Sequence, residues 1–161
     1  MKSEFFLKHV ESIRGWTLSY DVAVSTKFKG SFIEATPSGT IHLNFKRTNN
    51  YYTWKKVSAY VNGLLTGNLW INTQGDVDIL NHNTSELCQL KYYPPPSYFS
   101  NEKPNRVKGL VRNADCAVNY ILEGISNENC ECFKVENPQN IEHFEDHKSL
   151  RPLLECSLLA I

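Results

Sequence analysis

The segment GWTLSYDVAV, residues 15–24, decides the fold class. Its large apolar residues fall at every second position from Trp16 to Val24, while Thr, Ser and Asp occupy positions 17, 19 and 21. Successive side chains of a β-strand point to opposite faces of the sheet, so this alternation predicts a strand with one apolar face.

The same alternation recurs on both sides of this segment, in residues 40–46 (TIHLNFK) and 76–80 (DVDIL). Further β-rich runs are 28–35, 51–55, 58–65, 68–72, 87–92, 106–112, 118–123 and 132–135. Turn-forming residues such as PSG at 37–39 and TNN at 48–50 separate several of them. Short connections join antiparallel neighbours. We therefore predict a mainly β protein with an antiparallel meander, whose roughly ten strands would curl into a barrel or a large curved sheet.

Few short helices are expected. Residues 3–13 place Phe6, Val10 and Ile13 at helix-like spacing, and residues 150–161 could form a short helix that Ser149 caps. Three consecutive prolines at 94–96 predict an extended loop. We expect one partial domain over residues 1–161, in which 137–161 form an irregular tail.

Charge and cysteine content narrow the classes of function. The chain has 17 basic and 17 acidic residues. This balance gives no overall basic charge for binding nucleic acid. The odd number of cysteines, five, makes a poor disulfide framework, and we expect Cys130 and Cys132 to be plain thiols. A reducing cytoplasm fits this pattern. No apolar run approaches the roughly 20 residues of a membrane helix.

The sequence lacks the usual signatures of catalysis. It has no G-x-S-x-G elbow and no glycine-rich phosphate loop, so we predict neither an enzyme nor a bound cofactor. His143 and His147 are four residues apart, but a zinc site would need a third ligand that the sequence does not place. We interpret their surroundings as a solvated acidic segment and predict no metal site.

The apolar positions of the strands suggest a container. A barrel of this many strands can enclose a ligand, and apolar side chains facing its interior would suit a lipid. The alternative is that these side chains only pack on one another, and alternation alone does not separate the two cases.

Several segments resemble the oxysterol-binding protein family in their order and spacing. The clearest is GNLWI at 67–71, followed by Gly75 and ILNH at 79–82, which resembles the family run G-x-x-W-I…G-x-x-x-I-x-N-H. The other matching segments are 28–31, 37–43, 52–57, 88–91, 98–100, 107–109 and 118–124. The resemblance spans about residues 15–124.

The resemblance implies that the antiparallel meander forms part of a large lipid-binding β-barrel, whose apolar tunnel holds a sterol or a phospholipid such as a phosphoinositide. It implies a cytoplasmic protein that transfers lipid between membranes and associates peripherally with the membrane surface. Aligned with the family, the strands near 20–24 and 32–36 line the tunnel. The implied lipid-binding residues are Tyr20, Val22, Val24 and Ile33.

Departures from the family pattern limit what the resemblance implies. The E-Q-V-S-H-H-P-P signature, whose histidines hold the phosphoinositide headgroup, is absent and would fall before Met1. We expect the chain to correspond to the middle of the lipid-binding domain. The alternative function is therefore a non-transferring fragment that acts as a protein-interaction module, with open strand edges that allow self-association.

Overall fold

The computed structural model describes residues 4–12, 15–96 and 103–135. Within these ranges every regular element is a β-strand, and the strands form a single eleven-stranded sheet. The strands are β1 (Glu4–Ser12), β2 (Trp16–Phe28), β3 (Ile33–Ser38), β4 (Ile41–Phe45), β5 (Asn50–Trp54), β6 (Ser58–Asn62), β7 (Trp70–Asn81), β8 (Leu87–Tyr92), β9 (Arg106–Arg112), β10 (Val118–Ile125) and β11 (Cys130–Lys134).

The strands β3 and β4 are two halves of one long bent strand. Both pair antiparallel with β2 and keep the same register, from Phe28 opposite Ile33 to Trp16 opposite Phe45. The first half of β2 therefore lies between β1 and β4, and its second half pairs with β3. A single long hairpin, interrupted once in its return strand, forms this part of the sheet.

The strands β5 and β6 repeat this arrangement with one difference. Together they run from β4 and β3 on one side to β7 on the other. Between them the register shifts by one residue, since Ile41 lies opposite Trp54 whereas Ile33 lies opposite Val61. From β7 to β11 each strand pairs with the next in the chain. The predicted antiparallel meander is confirmed.

The interruption between β3 and β4 depends on Gly39. Its φ of +109° lies in a region that L side chains rarely adopt, and an added Cβ would lie 1.7 Å from the carbonyl oxygen of Asp21. The Asp21 carboxylate also accepts a hydrogen bond of 3.3 Å from the backbone N–H of Thr40. The bend thus brings two backbones closer than any residue with a Cβ allows.

The thin helical evidence in residues 3–13 does not correspond to a helix, because residues 4–12 form β1. This strand pairs with β2 along its whole length, from Glu4 opposite Val24 to Ser12 opposite Trp16. A ladder of nine consecutive pairs outweighs a weak helical spacing of three apolar residues. The helix predicted over 150–161 and the tail predicted over 137–161 lie outside the described residues.

The cysteines only partly follow the prediction. Cys88, Cys130 and Cys132 are free thiols, as expected for the last two. Cys116 is disulfide-bonded, a bond that the poor disulfide framework of the sequence does not predict.

Candidate ligand-binding face

One face of the sheet is mostly apolar across β2–β10, with the hydrogen-bonded amides Asn50 and Asn81 as an exception, and we call it the apolar face. On β2 it carries the alternating residues from Trp16 to Phe28, and the register determines which residues of each neighbour share that side. Among the further residues of the apolar face are Ile33, Ile41, Leu43, Tyr52, Trp54, Val61, Val77, Ile79, Cys88, Leu90, Val107 and Leu122.

The structure places all four sequence-predicted residues on the apolar face. Tyr20, Val22 and Val24 alternate along β2, and Ile33 shares the face because it lies directly opposite Phe28. From Tyr20 to Phe28 the strand extends about 27 Å at about 3.3 Å per residue. The four residues therefore form an elongated strip along one hairpin and not a compact cluster.

The side chains of this strip differ in burial. Val22 is 7% exposed and belongs to the core, whereas Tyr20, Val24 and Ile33 are half-buried. The ammonium group of Lys56 lies 5.8 Å from the centre of the Tyr20 ring, a cation–π distance. Half-buried apolar side chains retain surface that a bound apolar molecule can cover.

Sequence reasoning missed most of the apolar face. Ile41, Trp54, Val77 and Leu90 share it, yet none was singled out as a candidate contact. The alternation at 40–46 and 76–80 carried the necessary signal. Only the strand register shows that these side chains share a face with Val22.

Cys88 shows how little polar the apolar face is. Burial raises the pKa of its thiol to about 11, and the neighbouring thiols Cys132 and Cys130 and the Asp78 carboxylate raise it further. At neutral pH the sulfur is therefore protonated and unreactive. Cys88 therefore offers a ligand apolar contact and not a nucleophile.

The opposite face holds a hydrogen-bonded series of three polar side chains, of which Arg112 and Gln89 are buried and Asp78 is exposed. The guanidinium Nη1 of Arg112 donates a hydrogen bond of 2.8 Å to Gln89 Oε1, and Gln89 Nε2 donates one of 3.3 Å to Asp78 Oδ1. Arg112 and Gln89 are each 7% exposed. Burial lowers the pKa of the arginine, and its buried Nε makes no hydrogen bond. These hydrogen bonds link the side chains of β7, β8 and β9.

A cavity of about 450 Å³ opens where β5 pairs with β7 at only two positions. The cavity is lined on the face opposite the apolar face by Thr40, Thr53, Asp76 and Asp78, and its lining also includes Trp54, Lys55 and Leu80. Its lining combines carboxylates with an ammonium group. This cavity suits a lipid tail less well than the apolar face does.

The histidines of this region make hydrogen bonds with neighbouring side chains. His42 Nδ1 lies 2.6 Å from the Tyr51 hydroxyl, and His82 Nε2 lies 2.8 Å from the Thr53 hydroxyl. Across the part of the chain that the structure describes, no group of three His, Cys, Asp or Glu residues could hold a metal ion. His143 and His147 lie outside that part. The same described part contains no helix that is long and apolar enough to cross a membrane.

Comparison with known sequences identifies relatives of this chain. The family model described as Oxysterol-binding protein matches residues 5–154, further at both ends than the motifs suggested. Oxysterol-binding protein 2 of Mus musculus is 39% identical over 127 residues, which are 79% of this chain and 14% of that protein. Oxysterol-binding protein-related protein 2 of Homo sapiens is 33% identical over 119 residues, 74% of this chain and 24% of that protein.

Solved structures give the same result. The Osh1 ORD domain in complex with cholesterol superposes with a TM-score of 0.68 at 30% identity, covering 79% of this chain and 30% of that chain. The Osh3 ORD of Saccharomyces cerevisiae in complex with PI(4)P has a TM-score of 0.65 at 17% identity, a likeness of fold alone. This chain therefore spans only a minor part of the proteins and domains that it matches.

The family match, the relatives and the shared fold agree with one another. The family and the matched structures are lipid-binding proteins and not enzymes, which confirms the prediction that the chain is not an enzyme. The chain belongs to the oxysterol-binding protein family.

Proposed function

We propose that the chain binds the apolar body of a lipid, a sterol or a phospholipid, along the apolar face. The observation that carries this proposal is the strip of half-buried apolar residues Tyr20, Val24 and Ile33 beside the buried Val22. A lipid gains about 0.8 kcal/mol for each methylene that leaves water. An elongated strip of about 27 Å, from the rise per residue, offers many such contacts to one extended molecule.

The solved relatives support this proposal, since one holds cholesterol and another holds PI(4)P. In our proposal the chain contributes one wall of a lipid site, and its biological role is lipid transfer between membranes. It would act in the cytoplasm and associate peripherally with membrane surfaces. The relatives are several times longer than the region that this chain matches. In this proposal, segments that correspond to the rest of those relatives complete the lipid site.

The test is sterol uptake by the full chain, followed with a fluorescent sterol delivered from cyclodextrin. Replacing Val24 by Asp puts a carboxylate on the apolar face, and we expect uptake to fall at least about tenfold because burying a charge is costly. Ser25→Asp is the matched control, because Ser25 is the next residue on the same strand and faces the other way. We expect this control to stay within about twofold of the unmodified chain.

A third variant separates loss of binding from loss of folding. Val24→Met keeps the face apolar, so we expect it to retain uptake, and circular dichroism confirms that each variant keeps its strands. Equal uptake by the Val24→Asp and Ser25→Asp variants would show that the apolar face does not contact the lipid.

The open edges of the sheet favour a second candidate function, a protein-interaction module. In the described ranges β1 pairs only with β2, and β11 pairs only with β10. Strands with one unpaired edge readily add a strand from another chain. Sedimentation velocity over a hundredfold concentration range distinguishes this candidate, which predicts self-association without any lipid.

A further inference from the structure

Two hairpins at one end of the sheet expose large apolar side chains. The β2–β3 hairpin ends in Phe28, and the longer β6–β7 connection runs through residues 63–69. We define the tip surface as Phe28, Leu65, Leu69, Trp70 and Ile71, which are 70%, 81%, 64%, 44% and 63% exposed, respectively. Five large apolar residues exposed together at one end form a patch of the kind that marks an interaction site.

The strand register makes the two hairpins neighbours. Phe28 lies opposite Ile33, Ile33 opposite Val61, and Val61 opposite Ile71. Residues directly opposite one another in an antiparallel pair are about 5 Å apart, so this row spans about 15 Å. The exposed ends of the row, Phe28 and Ile71, thus belong to one continuous surface.

The connection that carries Leu65 and Leu69 is a defined turn. The backbone N–H groups of Thr66 and Gly67 both donate to the carbonyl of Gly63, at 3.2 and 3.0 Å. Gly63 has a φ of +79°, and a Cβ there would lie 1.8 Å from the carbonyl oxygen of Asn68. The turn is therefore held by its own backbone, and Leu65 is displayed at its apex.

The charges around the tip surface are positive. Lys27 and Lys29 flank Phe28, and neither residues 22–33 nor residues 61–75 contain an Asp or a Glu. The nearest acidic contact is Glu34, whose carboxylate lies 3.9 Å from the Lys29 ammonium. The Lys29 and Glu34 side chains are 48% and 24% exposed, respectively. Lys27 lies directly opposite Glu34 across the β2–β3 pair. The two lysines thus share one carboxylate, which leaves a net positive charge beside the apolar side chains and complements an anionic, apolar partner.

We propose that the tip surface inserts into the interfacial region of an anionic lipid bilayer. The apolar side chains enter the boundary between headgroups and acyl chains, and Lys27 and Lys29 lie at the level of the lipid phosphates. Phe28 and Ile71 also belong to the apolar face, so insertion brings the end of that face to the bilayer. The inference deepens the proposed lipid-carrying function by naming where the carrier meets its membrane.

The test is co-sedimentation of the full chain with vesicles of phosphatidylcholine alone, or of phosphatidylcholine in which about one lipid in three is phosphatidylserine. We expect binding to the anionic vesicles, and a fall of about tenfold or more in the partition coefficient for the double variant Leu65→Ser, Leu69→Ser. Phe133→Ser is the matched control, because Phe133 is 47% exposed on the distant strand β11. We expect it to bind as the unmodified chain does.

Charge and insertion depth are tested separately. The double variant Lys27→Gln, Lys29→Gln is expected to lose the preference for phosphatidylserine, about tenfold at low ionic strength. In a chain with Trp16→Phe and Trp54→Phe, brominated lipids are expected to quench Trp70, the remaining tryptophan. Quenching from bromines near the headgroup should exceed quenching from bromines at the chain end.

Three outcomes overturn the inference. The first is equal vesicle binding by the leucine variant and the unmodified chain, and the second is absence of binding to either vesicle. The third is self-association that the leucine variant abolishes, which would assign the tip surface to a second copy of the chain. Sterol uptake from cyclodextrin requires no vesicle, so its retention in the leucine variant distinguishes failure of docking from failure of the proposed function.

Discussion

Replacing Gly39 by alanine tests the close approach that bends the central hairpin. The new Cβ would lie 1.7 Å from the carbonyl oxygen of Asp21, whereas real Cβ atoms essentially never approach within 3.0 Å. The two strands must therefore separate by at least 1.3 Å, the difference between these distances. The φ of +109° at this position adds strain to any residue with a side chain.

The expected cost of this substitution follows from what the separation breaks. It weakens the Thr40 N–H bond to Asp21 and one neighbouring ladder bond, at about 1 kcal/mol each. The backbone strain adds about 1–2 kcal/mol. We therefore expect Gly39→Ala to lower the free energy of unfolding by about 3–4 kcal/mol. For a chain of this length that corresponds to a fall in Tm of about 6–16 °C.

Urea and thermal unfolding measure this effect, and Gly30→Ala is the matched control. Gly30 has a similar left-handed φ of +82°, but nothing lies within 4 Å of its Cβ position. The control therefore carries the conformational strain without the overlap, and it should cost about 1 kcal/mol. If the two variants unfold within about 0.5 kcal/mol of each other, the argument from close approach is refuted.

Two further predictions concern buried polar groups. Because its thiol pKa is about 11, Cys88 should react with iodoacetamide more slowly than the exposed Cys130 and Cys132 at pH 8. Its rate should rise about tenfold per pH unit up to pH 10, as the thiolate fraction grows; a flat rate, followed by mass spectrometry, contradicts the burial argument. Replacing Gln89 by Leu removes the acceptor of the buried Arg112, so urea unfolding should show a loss of about 2–3 kcal/mol. Adding Arg112→Met to Gln89→Leu should recover part of that loss, because no buried charge then remains; no recovery would place the cost elsewhere.

The strands themselves could be predicted from the sequence because their alternation is local. The pattern from Trp16 to Val24 indicates both a strand and its apolar side, and the structure confirms both. The strand over residues 4–12 is not evident from the sequence, because the spacing of their apolar residues distinguishes poorly between a helix and a strand. Pairing with β2 stabilises the strand conformation of these residues, and a short stretch of sequence does not show which strand it will pair with.

The candidate site was predictable only in part, for the same reason. Alternation showed that Tyr20, Val22 and Val24 share a side, and the family resemblance added Ile33. That Trp54 and Val77 share this face depends on the register between distant strands. The tip surface depends on two hairpins ending together, which no single segment of the sequence reveals.

The one-residue shift between β5 and β6 has a consequence for how this region can change in length. The apolar face takes its side chains from even positions in β5, such as Tyr52, and from odd positions in β6, such as Val61. The short connection at 55–57 thus reverses parity. Gaining or losing one residue there would turn every later side chain of β6 to the wrong side, whereas a change of two would preserve the pattern. Among related chains, length variation at this point should therefore occur in even steps.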